Sequence, residues 1–81
     1  LSPNPAIDNV LVRFEMNEAE ALRYNIRDLA GRLVLEGDFG LVSEGEFAQQ
    51  LNLAGVPSGM YQLEIVSDAG VRVEKFVVQG R

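Results

Sequence analysis

The sequence contains no cysteine, no histidine and no tryptophan. The lack of cysteine excludes disulfide bonds, thiolate nucleophiles and cysteine metal ligands, so the core has to hold the fold without cross-links. The lack of histidine removes the usual nucleophile–base pairs and imidazole metal sites. We therefore expect a domain that is not an enzyme and that has no catalytic residues, no cofactor and no bound metal.

Positive charge is also scarce, with 7 lysines and arginines against 12 acidic residues and a net charge of −5. This balance disfavours binding to nucleic acid and to anionic membrane surfaces, both of which repel a negative protein. No apolar run approaches the roughly 18 residues of a transmembrane helix, and no signal-peptide pattern is present. Because the sequence starts at Leu1 rather than at methionine, we expect a fragment of a longer protein, with any targeting signal upstream.

Two pairs of acidic residues have the spacing of a shared strand face or loop: Glu18 with Glu20, and Glu44 with Glu46. Such pairs occur in weak calcium sites and in glycosidase-like carboxylate pairs. The Asp-x-Asp-x-Asp-Gly spacing of a calcium loop is absent. We interpret both pairs as solvated acids that keep the loops soluble.

Alternating apolar and polar residues recur in short segments separated by Gly, Asp and Pro, which is typical of β-strands. With 81 residues, 47% of them hydrophobic, the chain can form one core. We predict an all-β, antiparallel β-sandwich of six to seven strands over residues 10–81, preceded by a lead-in over residues 1–9. The predicted strands are 10–16, 21–28, 33–39, 46–53, 60–67 and 71–79.

Three turns are predicted from their residues. In the hairpin loop with a bulge after the second strand, Gly31 takes a positive φ and the Asp28 side chain accepts turn N–H groups. Pro57 occupies the second position of a turn that Gly59 closes. Asp68-Ala69-Gly70 is a second tight hairpin loop.

Three details of strand orientation are also predicted. Leu33, Leu35 and Phe39 point inward from the third strand. In the last strand the alternation slips, since Val71 and Val73 share one face while Phe76 and Val78 take the other. A bulge near Glu74-Lys75 would restore a common inward face for all four. Gln49 lies near an edge, because a buried amide needs partners. The aromatic side chains are assigned mostly to the core rather than to a carbohydrate platform: Phe14, Tyr24, Phe39, Phe47, Tyr61 and Phe76.

Four segments occur in an order that is typical of one family. Pro3-Asn4-Pro5-Ala6 begins the chain, and an Asp-x-x-Gly-Arg segment spans residues 28–32. Residues 53–61 read LAGVPSGMY, and residues 75–79 read KFVVQ near the end. In this order and spacing the chain resembles the C-terminal sorting domain of the type IX (Por) secretion system, type A form. The resemblance covers essentially the whole sequence.

The resemblance implies an Ig-like sandwich at the extreme C-terminus of an exported protein of certain Gram-negative bacteria. Such a domain directs its parent from the periplasm across the outer membrane, to the cell surface or the medium. The implied partners are translocon components and a sortase-like peptidase that removes the domain near its N-terminal side. We expect no nucleic-acid partner, because the net charge is negative, and no direct membrane insertion. We take the domain to be a monomer.

The family motifs can be placed on this sequence residue by residue. Receptor recognition is assigned to residues of the loop and of the last strand, namely Asp28, Gly31, Arg32, Lys75, Val77, Val78, Gln79 and Arg81. Residues assigned to defining the fold are Pro3, Asn4, Pro5, Pro57, Gly59 and Tyr61. The alternatives are a carbohydrate- or protein-binding adhesion sandwich on an extracellular protein, and a purely structural spacer.

Overall fold

A computed structural model describes residues 9–79. The described chain consists of β-strands joined by short connections: β1 (Asn9–Met16), β2 (Glu20–Asp28), β3 (Leu33–Val42), β4 (Gly45–Asn52), β5 (Gly59–Ser67) and β6 (Gly70–Val78). All pairings are antiparallel. The predicted all-β antiparallel sandwich is thus confirmed, with six strands. Across residues 9–79, no helix is long and apolar enough to cross a membrane.

The strands form two sheets, a two-stranded sheet of order β1-β4 and a four-stranded sheet of order β3-β2-β5-β6. Their facing sides enclose one core, whose burial is the main favourable contribution to folding. The side chains with the least exposure are Phe76, Ile26, Leu53, Leu63, Val10 and Val78. The predicted hairpin between β5 and β6 is present, closed by the pairing of Ser67 with Gly70.

A row of aromatic rings links the two sheets. The ring centroids of Tyr24 and Phe39 are 4.8 Å apart, those of Phe39 and Phe47 5.1 Å, and those of Phe47 and Phe14 5.1 Å. Such tilted and edge-on pairs are favourable beyond the area that they bury. All four rings pack against the buried core, and Tyr61 and Phe76 lie within it. The assignment of the aromatic residues to the core is confirmed.

Two register shifts in the pairing of β2 with β3 change the predicted third strand. The first lies between Leu22 and Arg23, opposite the segment that contains Phe39. There the Gly40 N–H donates to Asp38 Oδ1 at 2.6 Å, and Gly40 has a φ of +72°. This bulge allows the strand to continue to Val42, beyond the predicted end at residue 39.

The second shift lies between Ile26 and Arg27 and places Leu33 opposite Arg27. Leu33 is therefore on the outer face of the sheet and is 41% exposed, so its predicted inward orientation is wrong. Leu35 pairs with Ile26 and packs against the core, as predicted. Gln49 is exposed on β4, which is also as predicted.

The bulge predicted near Glu74-Lys75 is wrong, because β6 pairs with β5 without a shift from Val78 to Gly70. Arg72 and Glu74 lie opposite the core residues Ile65 and Leu63, yet both are exposed. Among the described strands β6 pairs only with β5, and charged side chains on the inner side of such an edge are tolerated because water reaches them. The Arg72 guanidinium carbon lies 5.6 Å from the Phe14 ring centroid.

Candidate functional site at one end of the sandwich

The strand pairing brings motif segments that are distant in sequence to the same end of the four-stranded sheet. Asp28 pairs with Tyr61, and Tyr61 pairs with Phe76, so these three residues form one row across β2, β5 and β6. Beyond this row, Gly59 pairs with Val78. The loop of residues 29–32 and the final residues of β6 therefore lie at one end, which we call the motif end.

The two-stranded sheet contributes to the same end. Asn9, where β1 begins, pairs with Asn52, where β4 ends. From Asn52 the chain runs through residues 53–58 into Gly59 at the start of β5. The motif end therefore also contains the start of β1 and the connection over residues 53–58.

The loop of residues 28–32 is closed by hydrogen bonds centred on Asp28. Its Oδ1 accepts from the N–H groups of Ala30 and Arg32 at 3.0 and 2.9 Å, and its Oδ2 accepts from Arg32 Nε at 3.1 Å. The Gly31 N–H donates to the Asp28 carbonyl at 3.0 Å, and Gly31 has a φ of +87°. The predicted roles of Asp28 and Gly31 in the turn are confirmed.

The same contacts hold the Arg32 guanidinium in place while leaving it accessible. Arg32 is bound to Asp28 through Nε, and its side chain is 83% exposed. Within residues 9–79, its two terminal nitrogens have no hydrogen-bond partner. They can donate in parallel to a carboxylate of another molecule.

The N–H of Arg32 is the first cause that holds the pKa of Asp28 below its usual value of 3.8, helped by the Arg32 guanidinium and the Ala30 N–H. Because this pKa is lower in the folded chain, the contribution of Asp28 to stability is present above pH 3.8. It is lost as the pH falls through the folded pKa.

We expect the Asp28 carboxyl to titrate below pH 3.8 in the folded chain, as followed by carboxyl-carbon NMR. Arg32→Ala removes the guanidinium but keeps the backbone N–H donors. It should therefore raise the titration midpoint of the Asp28 carboxyl only part of the way to the usual aspartate value. Arg13→Ala, on the other sheet, should leave the midpoint unchanged. A midpoint at or above 3.8 in the unsubstituted chain would show that these hydrogen bonds do not form.

The connection into β5 turns earlier than its sequence predicts. The Val56 N–H donates to the Leu53 carbonyl at 2.9 Å, and Gly55 between them has a φ of +87°. This hydrogen-bonded turn replaces the one predicted at Pro57 to Gly59, since Gly59 is already the first residue of β5. Gly59 has a φ of +153°, which disfavours other residues there.

Tyr61 anchors this connection to the sheet. Its hydroxyl donates to the Pro57 carbonyl at 2.6 Å, while its ring is buried and lies 5.9 Å from that of Phe76. Sequence reasoning placed Tyr61 in the core but missed this hydrogen bond. The signal that could have revealed it is a tyrosine, rather than a phenylalanine, four residues after a proline at a strand start.

The last strand contributes both buried and exposed residues. Val78 is 2% exposed and belongs to the core, whereas Lys75 and Gln79 are exposed and Val77 is half-buried. Of the recognition candidates, Arg32, Lys75 and Gln79 are therefore accessible side chains at the motif end. The candidates Pro3, Asn4, Pro5 and Arg81 lie outside the described residues.

An open cleft of about 310 Å³ lies towards the other end of the molecule, between the two sheets. Phe14, Met16, Ile65 and Arg72 are among its lining residues. None of the motif residues lines it. Within residues 9–79, no three acidic side chains come together in an arrangement that could hold a metal ion.

The family whose model matches this chain is the secretion system C-terminal sorting domain, over residues 1–79. Neither the curated proteins nor the solved structures give a significant match. A sorting domain of this kind implies that the protein carrying it is exported, to the cell surface or beyond. The motifs that gather at one end of the sandwich are those that the resemblance singled out. The chain belongs to the family of type IX secretion C-terminal sorting domains.

Proposed function

We propose that this domain is the export address of its parent protein. It directs the parent from the periplasm across the outer membrane through the type IX translocon, and a sortase-like peptidase then removes it. The observation that carries the proposal is the gathering of three separate motif segments, residues 28–32, 59–61 and 75–79, at one end of the sandwich. A translocon component can contact all three at once.

Burial divides the motif residues between two roles. Tyr61 and Val78 are buried and hold the sheet together, and Gly31 provides a backbone conformation that the loop requires. Arg32 and Lys75 are exposed and available to a receptor. The domain is thus recognised and removed, and performs no chemistry itself.

The lead-in over residues 1–9 is the proposed site of peptidase action. Its last residue, Asn9, enters β1 at the motif end. A peptidase that cuts next to Asn9 would therefore act beside the surface that the translocon reads. Cutting there releases the parent from the whole sandwich.

The proposal is tested by fusing the 81 residues to the C-terminus of a periplasmic reporter in a strain with a working type IX system. We expect the reporter in the medium or on the cell surface, and we expect mass spectrometry to show a mature C-terminus that lacks residues 10–81. The same fusion in a translocon-deficient strain should stay in the periplasm. Equal export from both strains would contradict the proposal.

An adhesion module would behave differently in the same assay, since it would remain on the mature protein and bind a glycan in titrations. A carbohydrate-binding sandwich normally offers exposed aromatic rings to the sugar. Here the six phenylalanine and tyrosine rings are buried or packed against the core. The sorting role therefore has the stronger support.

A further inference from the structure

The described chain has opposite charge at its two ends. The motif end carries three basic residues, Arg27, Arg32 and Lys75. Two acidic side chains accompany them, Glu64 paired with Arg27 and Asp28 paired with Arg32. The other end carries six acidic side chains, and the basic side chain of Arg72 lines the cleft there. The acidic residues are Glu15, Glu18, Glu20, Glu44, Glu46 and Asp68. Within residues 9–79, none of the three connections at that end contains a lysine or an arginine.

Apolar side chains surround the basic residues of the motif end. Leu33, Arg27 and Lys75 lie in one row on the outer face of the four-stranded sheet, joined through Gln62. Met60 is two residues further along β5 on the same face and is 47% exposed, and Leu29 at the loop tip is 64% exposed. We call this surface the basic patch; it consists of Arg27, Leu29, Arg32, Leu33, Met60 and Lys75.

The two arginines of the patch are held in place before any partner binds. Arg27 Nε donates to Glu64 Oε1 at 3.1 Å and its Nη1 to the Gly31 carbonyl at 3.2 Å. Arg32 is fixed to Asp28 in the same way. Fixed guanidinium groups lose little side-chain entropy on binding, so each new hydrogen bond contributes more to affinity.

We propose that the basic patch docks onto an acidic protein surface that has an apolar pocket at its centre. This inference rests on the proposed function, because the partner would be a component of the export machinery. Arginine and large apolar side chains at the centre of a surface are typical of protein interfaces. A flat anionic membrane is the weaker choice, since membrane-binding clusters contain about four to eight basic residues and this patch has three.

The acidic end does not cancel the attraction at the basic patch. Strands of 8 to 10 residues separate the two ends by roughly 27–34 Å at about 3.4 Å per residue. At physiological ionic strength the Debye length is only about 8 Å. The acidic side chains at the other end are therefore largely screened from a partner at the motif end.

The test compares two double variants of the 81-residue chain that have the same change in charge and nearly the same change in composition. Leu29→Ser with Lys75→Glu alters the basic patch. Leu41→Ser with Arg13→Glu alters an exposed leucine and an exposed basic residue elsewhere. Leu41 is 77% exposed near the acidic end, and Arg13 is exposed on β1. All four side chains are exposed, and thermal unfolding monitored by circular dichroism checks that both variants fold.

The binding probe is a short peptide in which glutamates alternate with leucines, titrated into the isotopically labelled chain and followed by NMR. We expect chemical-shift changes confined to the basic patch that weaken as salt is added. The patch variant should bind the peptide about tenfold more weakly than the unsubstituted chain does. The control variant should bind the peptide with the same affinity as the unsubstituted chain. Shift changes spread evenly over the surface, or equal loss in both variants, would overturn the proposal.

In cells, the reporter fusion with the patch variant should be exported clearly less than the control variant. If the unsubstituted fusion is exported and both variants match it, this inference fails while the proposed function stands. If the unsubstituted fusion is not exported, the proposed function itself fails.

Two further measurements test whether the basic patch binds a membrane or a second copy of this chain instead of an acidic partner protein. Binding to phosphatidylglycerol vesicles that is lost only in the patch variant would overturn the proposal, because it would show that the patch binds a membrane. Concentration-dependent association in analytical ultracentrifugation that is lost only in this variant would replace the partner with a second copy, basic end against acidic end.

Discussion

Tyr61→Ala is expected to lower the free energy of unfolding by about 3–5 kcal/mol, because it removes a buried ring from the core and its contact with Phe76. At about 0.05–0.15 kcal/mol per residue, a chain of this length has a total stability of roughly 4–12 kcal/mol. Tyr61→Phe keeps the ring and removes only the hydroxyl that donates to Pro57. Its expected cost is about 1 kcal/mol. Urea unfolding measures both.

Tyr24→Phe is the control for the hydroxyl. Tyr24 also packs against the core, but within residues 9–79 its hydroxyl has no hydrogen-bond partner. Its loss should therefore change the free energy of unfolding by less than about 0.5 kcal/mol. Equal costs for the two tyrosine-to-phenylalanine variants would show that the bond to Pro57 does not stabilise the fold.

Phe76→Ala should have an effect of the same size, about 3–5 kcal/mol, because Phe76 is 1% exposed in the centre of the core. Val73→Ala on the same strand is the control. Val73 lies on the outer face and is 51% exposed, so its truncation should cost about 0.5 kcal/mol or less. Similar losses at the two positions would contradict the register of β6.

The position of Phe76 also affects how truncations of the motif end are interpreted. Deleting residues 75–81 removes Phe76 and Val78 from the core along with the exposed Lys75. Loss of export after such a deletion would report unfolding as much as lost recognition. Substitution of exposed side chains separates the two effects.

The strands themselves were predictable from the sequence because alternation is a local property. In β5, Tyr61, Leu63 and Ile65 alternate with polar residues, and all three are buried. The extension of β3 to Val42 was not predictable in the same way. Gly40 indicates a loop, and only the bond between Asp38 and Gly40 shows that the chain bulges and continues as a strand.

The error in β6 has a different physical cause. Val71 and Val73 were taken as core residues because they are apolar, although they are 60% and 51% exposed on the outer face. Their neighbours Arg72 and Glu74 occupy the inner side of an edge, where charge is tolerated. Hydrophobicity alone does not identify the buried side of a strand at the edge of a sheet.

The turn contacts of the candidate site were predictable from the sequence, but the way in which the strands bring its segments together was not. The turn roles of Asp28 and Gly31 follow from residue types within five positions of one another. The row that joins Asp28, Tyr61 and Phe76 depends on the order of β2, β5 and β6 in the sheet. No single segment specifies that order.

The most direct test of the central claim, that the chain is an export address read at its motif end, is the exported fraction of the reporter fusion carrying Arg32→Ala. Arg13→Ala is the matched control, an exposed arginine on the other sheet. With both variants folded, we predict a strong loss of export for Arg32→Ala and normal export for Arg13→Ala. Normal export of both, or equal loss of both, would contradict the claim.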